Sequence, residues 1–422
     1  MKASARAMED LCGIDPLVKI FCDLVSADTK SDPDSKTVPS TVGQLRLGAQ
    51  ISGILNGLGF SCSQEQNGVV MCQVPASAGL GDRPRLALIA HLDTAPDAPG
   101  DGVSPRLVRN YDGGVIELEN GLATDSSICR ELPSHKGDDI IVTDGRTLLS
   151  ADDKAGVAVI MQILREIASD PSFRHPALCA VFSVDEEIGK SADLIDLGRV
   201  GCRYGVTVDG CEAGELDTAT FNAEAALVEI KGRSVHTGTG YKALVNACEL
   251  ASRFMQMLPQ DEKPENTMGQ EGFFHVHEIR GDAALSRLKL IVRDFTEEGL
   301  SRRIGLLLRI ADLMNAELGE SRVKVTHFHQ YSNMARPLEE HPEIVRMCLE
   351  AYRRAGIKPR EISVRGGTDG SNLSNRGLPC PNIFTGALCC HGVHECLPVK
   401  SLHLSHDAVK ALVGVAAEGG AA

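Results

Sequence analysis

The chain has 422 residues, 43% of them hydrophobic and 24% charged, with a formal net charge of −14. That length exceeds one ordinary hydrophobic core and predicts two domains of a globular protein. The acidic surface repels phosphate backbones and anionic lipid, and 4% aromatics with no tryptophan leave few rings to stack on bases, so neither nucleic acid nor membrane is an expected partner.

No apolar run is long enough to span a bilayer, and the opening MKASARAMEDLCGIDP lacks the apolar segment of a secretory signal, which points to the cytoplasm. Fourteen cysteines are scattered without CxxC pairs. In a reducing compartment they are expected as free thiols, buried or half-buried.

In chain order, residues 86–90 read as a buried strand ending at His91. Residues 147–149 read as a short strand before Asp152 and Asp153. Val157, Ile160, Met161, Leu164 and Ile167 then recur at helical spacing. Residues 177–184 form another apolar run, ending in Asp185, Glu186 and Glu187. Residues 204–208 end at Asp209, and residues 382–384 lead towards His391. This alternation predicts an α/β layer with a mostly parallel central sheet.

The middle of the chain reads as strand 226–230, helix 243–258, strands 273–279 and 288–295, helix 300–318 and strand 323–328. That β-α-β-β-α-β order is the ferredoxin-like pattern. It predicts a discontinuous catalytic domain, 1–219 and 331–422, with an inserted α+β lid domain at 220–330. Residues 259–272, rich in charge, Pro and Gly, read as a loop.

Acidic and imidazole groups gather where the apolar strands end: His91 and Asp93, Asp152 and Asp153, Glu186 and Glu187, Asp209, and His391. In open parallel sheets ligands bind beyond the carboxyl ends of strands, so these segments can converge. Several ionised carboxylates in one cleft repel one another, and a pair of divalent metals removes that cost. Imidazole with carboxylate and no thiolate suits zinc, with manganese or cobalt as substitutes. Each fragment alone reads equally as a turn, a solvated loop or an N-cap; the ordered set is what carries the chemistry.

That set is A-H-L-D-T, T-D-G-R-T-L-L-S-A-D-D-K-A-G, D-E-E-I-G, T-V-D-G and C-H-G-V-H-E, with V-P-S-T at 38–41, R-G-G-T-D-G at 365–370 and L-P-C-P-N at 378–382. It resembles the co-catalytic zinc exopeptidases of the aminoacylase and carboxypeptidase type, and among them the tripeptide aminopeptidases. The likeness runs from about residue 38 to the C-terminus and includes the insert.

The resemblance implies two zinc ions per subunit and a homodimer formed through the inserted domain. It implies that His91 and Asp209 bind one metal, Glu187 and His391 the other, and that Asp152 bridges both. Glu186 would be the general base and Asp93 would orient His91. His391 is preferred to His394 because the family ligand stands four residues before the glutamate, here Glu395. The Asp152–Asp153 peptide is expected to be cis. His236, in V-H-T-G-T, would help stabilise the oxyanion at a neighbouring subunit's site, with Asn246 nearby. Arg293 or Arg365 would clamp the peptide carboxylate.

The implied activity is hydrolysis of the N-terminal peptide bond of tripeptides by a metal-activated water. A dipeptidase, a carboxypeptidase and an N-acyl amino-acid deacylase share the same metal set. An inactive binding protein would have lost ligands or the base, and all are present here. Ser150 stands where the family usually has glycine, and Leu388, Cys389, Cys390 and Cys396 depart from it around His391. Thiolates beside zinc become extra ligands or oxidation sites. His275, His277, His327 and His329 read as sheet-face residues without a metal role.

Overall fold

The computed structural model describes residues 2–419 of the chain, with side chains from Met8 onward. Two compact units result. The larger runs to Thr218 and takes up Arg336–Ile362 and the chain from Thr368; the smaller comprises Ala219–Ala335 and Ser363–Gly367.

The larger unit is organised by an eight-stranded sheet. At its centre, Leu86–His91 lies between Leu178–Ser183 and Tyr204–Gly210, parallel to both, and Asn382–Phe384 continues parallel beyond Tyr204–Gly210. Every residue of Leu86–His91 and Leu178–Ser183 is buried, as parallel strands covered on both faces require. The outer pairings, Val70–Val74 with Leu178–Ser183 and Glu215–Thr220 with Asn382–Phe384, are antiparallel. Helix Ala151–Ser169 packs on Leu86–His91 and Tyr204–Gly210, and helices Pro16–Val25 and Val399–Glu418 pack against it in turn. The parallel core therefore aims several strand ends at the start of one buried helix.

Residues 147–149 are not a strand. They run irregularly, held by Leu148 N–H donating to the Pro99 carbonyl at 2.9 Å and by the Thr143 hydroxyl donating to the Thr147 carbonyl at 3.1 Å. A small second sheet, invisible in the sequence pattern, joins Arg106–Val108, Ile140–Val142 and Cys396–Pro398. Its strands have three residues each, too short to show a period. Cys62 and Cys72, expected as free thiols, are joined in a disulfide. Antiparallel pairing of Ser61–Gln64 with Val70–Val74 sets the two cysteines directly opposite each other.

In the smaller unit the antiparallel sheet order is Phe273–Gly281, Leu285–Asp294, Asn222–Lys231, Val323–Tyr331. Alternate residues Ala226, Val228 and Ile230, with Leu288, Leu290 and Val292, form one buried face. Helices Ala247–Gln256 and Glu297–Leu318 cover that face with Phe254, Leu307 and Met314. The first helix starts later than its periodicity suggested because Asn246 caps it, its side-chain oxygen accepting from Cys248 N–H at 3.0 Å. Among the described residues, no helix is long and apolar enough to cross a membrane.

Leu307 is fully buried in the core of the smaller unit. Leu307→Ala should lower stability by about 2–5 kcal/mol through lost burial and a residual cavity. Urea unfolding followed by circular dichroism measures this; an unmoved midpoint would mean that the helix does not depend on that contact.

Candidate metal centre

Five separate segments of the larger unit converge beyond the sheet. His91 ends its strand, Asp152 lies at the start of the buried helix, Glu187 follows Leu178–Ser183, Asp209 lies near the end of its strand, and His391 sits in a loop after Asn382–Phe384. Asp152 stands between two histidines. His91 Nε2 is 3.1 Å from Asp152 Oδ1, and His391 Nε2 is 3.2 Å from Asp152 Oδ2. Asp209 completes the first group at 3.6 Å from His91 Nε2, and Glu187 the second at 3.1 Å from His391 Nε2. In each trio the candidate ligand atoms lie within 4.8 Å of one another.

The imidazole of His91 is oriented from behind. Its Nδ1 lies 3.0 Å from the Asp93 carbonyl and 3.5 Å from the Asp93 carboxylate, so the ring donates there and leaves Nε2 as the electron-pair donor facing the trio. Asp93 does more than the sequence suggested: its two oxygens accept the Glu186 and Glu187 N–H groups at 3.0 and 3.1 Å. The strand-end aspartate thereby fixes the turn that carries both glutamates.

Two further carboxylates grip that turn. Asp185, in left-handed backbone at φ 58°, accepts Ser40 N–H at 2.8 Å and Gln44 Nε2–H at 2.7 Å. Asp369 accepts hydroxyl bonds from Ser183 and Ser191, on either side of the turn. A fourth carboxylate, Glu395, accepts the N–H groups of Ser150 at 2.8 Å and Asp152 at 2.9 Å. The Asp152–Asp153 peptide is cis, and Asp153 accepts the His91 N–H at 3.1 Å. Lys154 is completely buried, its ammonium donating to the Ala27 carbonyl at 2.6 Å, and burial pushes it down to about 8.

Sequence reasoning missed Asp185, Asp369, Glu395, Ser40 and Gln44 as parts of the site. Their motifs were visible, but nothing local says that an acidic side chain will accept backbone donors from a distant segment. Conversely, His394 is held elsewhere, its Nδ1 2.9 Å from the Thr124 hydroxyl.

The charge balance is what a metal would correct. Burial, and then the neighbouring Asp152 charge, pushes Asp209 up to about 7 and Glu187 up to about 11. Burial likewise drives Glu186 well above the usual carboxylate range. Burial would raise Asp152 too, but hydrogen bonds from His391 and His91 outweigh it and hold Asp152 low. Glu187 Oε1 is buried without a hydrogen-bond partner. Buried carboxylates with too little positive charge and an unpaired oxygen fit divalent cations in both trios.

The remaining sequence candidates lie in the smaller unit. His236 is exposed on a short turn, where its Nδ1 accepts Gly238 N–H at 3.2 Å. The side-chain oxygen of Asn246 is the helix cap described above. Arg293 Nη1 donates to the Glu224 and Val292 carbonyls at 3.2 and 3.1 Å, and its guanidinium lies over the Tyr331 ring. Arg365 was expected on the catalytic domain, but its segment belongs to the smaller unit. There it donates to the Gly269 and Glu271 carbonyls and the Thr267 hydroxyl at 2.8–2.9 Å, stacked near Phe221 and Phe273.

A parallel sheet that brings imidazoles and carboxylates into two trios sharing one aspartate defines the scaffold of a two-metal hydrolase. Residues 149–414 match the model of Peptidase family M20/M25/M40. The chain is 39% identical over 395 residues to Peptidase T of Aliivibrio fischeri, covering 93% of this chain and 96% of that protein. The fold is similar to the crystal structures of aminopeptidase PepT from Bacillus cereus (TM-score 0.75, 20% identity, 95% of this chain and 98% of that one) and of a tripeptidase from Staphylococcus aureus (TM-score 0.76, 20% identity, with the same coverage). The chain belongs to peptidase family M20/M25/M40, and it has the α/β fold of that family with a mostly parallel central sheet.

Ser150 shows what its departure from glycine costs. It adopts φ 65°, a left-handed conformation that disfavours a residue with a Cβ, and its hydroxyl is buried without a partner. Ser150→Gly should raise stability by about 1 kcal/mol, the relief of strain and of the unpaired hydroxyl exceeding glycine's extra unfolded-state entropy. A thermal melt checks this; a clear fall in Tm would mean that the hydroxyl has a partner after all.

Proposed function

We propose that the protein is a metal-dependent aminopeptidase that removes the N-terminal residue of tripeptides. The observation that carries this reading is the pair of trios joined through Asp152, on a chain related over nearly its whole length to proteins named Peptidase T. His91, Asp209 and one oxygen of Asp152 would hold one cation; Glu187, His391 and the other oxygen of Asp152 would hold the second. Neutral imidazole and carboxylate donors favour zinc, with cobalt or manganese able to replace it. When bound, a pair of divalent cations lowers the proton affinity of water and polarises a carbonyl.

The protein's own groups then do the rest. Glu186 is the base: it takes the proton from the attacking water and delivers it to the leaving amine. Asp93, Asp185 and Asp369 keep Glu186 in place through the bonds described above. His236 would serve the oxyanion, donating from Nε2 because Nδ1 already accepts Gly238 N–H. We assign that histidine to the neighbouring site of a homodimer formed through the smaller unit. Arg293 or Arg365 would clamp the substrate carboxylate, since a guanidinium suits a bidentate carboxylate contact.

Chelation should abolish tripeptide hydrolysis, and zinc, cobalt or manganese should restore it. Glu186→Gln should keep its metal but lose about 10²–10⁴-fold in kcat, whereas Glu187→Ala should lose metal. Activity assays paired with metal analysis separate these outcomes, and near-normal turnover by Glu186→Gln would remove it from the base role.

Substrate length gives the sharper test. Matched di-, tri- and tetrapeptides, with free or blocked termini, should show the free tripeptide highest in kcat/KM. Acetylating its N-terminus should abolish cleavage, and amidating its C-terminus should weaken it. Preference for the acetylated peptide would point to a deacylase or carboxypeptidase instead.

A further inference from the structure

The loop that carries His391 is closed at its base by a bridge between Leu388 and Cys396. Leu388 and Cys396 face each other in an antiparallel bridge, with N–H to carbonyl distances of 2.9 and 3.0 Å in the two directions. Cys389, Cys390, His391 and Glu395 lie between them, and both Cys389 and His391 have left-handed backbone, at φ 54° and 63°. Cys396 also opens the strand that pairs with Ile140–Val142, so this end of the loop is anchored.

A third thiol comes from far away in the chain. Cys129 and Cys396 are completely buried in one apolar cluster, and Cys389 packs against its edge. The Cys389 thiol donates to the carbonyl of Ile128, the residue before Cys129, at 3.6 Å. All three are free thiols, and Cys389 alone of the three is half-buried rather than buried. A half-buried thiol beside a cluster that holds two buried ones can be joined to one of them by oxidation. The peptidase reaction uses none of them.

We propose that Cys389 and Cys129 form a reversible oxidation site for hydroperoxides that restrains the His391 loop. The Cys389 sulfur attacks one peroxide oxygen, the O–O bond breaks, and an alcohol leaves (water, for hydrogen peroxide). Cys389 is then a sulfenic acid. The Cys129 sulfur attacks the Cys389 sulfur, the S–O bond breaks and water leaves. Two thiols have lost two electrons and two protons, and the peroxide has gained them. Cys396 is placed to exchange with the resulting disulfide, and an added thiol reverses it. The new bond ties the Cys389 end of the loop to the segment that carries Cys129. Cys389 is two residues from His391, and Cys396 adjoins Glu395, which holds the Ser150 and Asp152 N–H groups. The cross-link therefore adjoins, along the chain, both His391 and Glu395, the two residues of this loop that contact Asp152. This consequence for activity rests on the peptidase reading; the disulfide itself does not.

The test treats zinc-loaded protein with hydrogen peroxide, then maps disulfides by mass spectrometry of alkylated peptides and measures metal content and tripeptide turnover. A disulfide joining Cys129 to Cys389 or Cys396 is expected, with at least a tenfold loss of turnover or loss of metal, both reversed by dithiothreitol. Cys389→Ser should keep more than half its turnover and its metal under the same treatment, and Cys389→Ala serves if the serine variant folds poorly. The proposal is overturned if the only new disulfide joins Cys211 to Cys390. It is equally overturned if no disulfide forms, if one forms without effect on turnover or metal, or if Cys389→Ser is inactivated as fast as the parent. Mapping and metal content need no turnover, so absence of peptidase activity is told apart from absence of the switch.

Discussion

Asp152 faces His91 with one oxygen and His391 with the other, and much of the polar structure of the larger unit keeps it there. A carboxylate side chain rotates easily, and a buried one is costly unless its oxygens are matched. The protein answers with backbone restraint. Glu395 holds the Asp152 N–H and Asp153 holds the His91 N–H, so the two residues that meet at the first trio are tied through the main chain before their side chains meet.

The same device recurs around the glutamate turn. Asp93, Asp185 and Asp369 all direct carboxylates at backbone or hydroxyl donors of residues 183–191 and 40–44. Hydrogen bonds to a charged acceptor contribute about 1.5–3 kcal/mol each, enough to hold a turn whose own backbone is unfavourable. Positive φ at Ser150, Asp185, Cys389 and His391 marks the same segments. Unfavourable backbone persists where surrounding bonds over-determine it, and here it lies beside the groups that would hold metal.

The smaller unit is built on a different principle. Its stability resides in an alternating apolar face covered by two helices, with arginines holding its loop segment. Arg365 fastens residues 267–271 through two carbonyls and a hydroxyl. Arg303 similarly donates to the Gly272 carbonyl at 3.0 Å and pairs with Asp294. These staples order a Pro- and Gly-containing loop that has no hydrogen-bonded ladder of its own.

The strand ends bearing His91, Glu187 and Asp209, the helix after Asp153 and the β-α-β-β-α-β order were legible in the sequence. Period, residue type and punctuation are local properties, and a parallel sheet makes the direction of its strand ends nearly automatic. Tertiary structure alone decided which carboxylates would face the trios and which would turn to main-chain donors. Asp185 and Glu186 are neighbours with opposite fates because Ser40 and Gln44, more than a hundred residues earlier, offer donors to the first. It likewise set Cys62 opposite Cys72, brought Cys389 against the cluster that holds Cys129 and Cys396, and placed Arg365 against the loop at 267–271. A side chain's chemistry can be read from its identity, but its hydrogen-bond partner is a property of whatever distant segment the fold places within 3 Å of it.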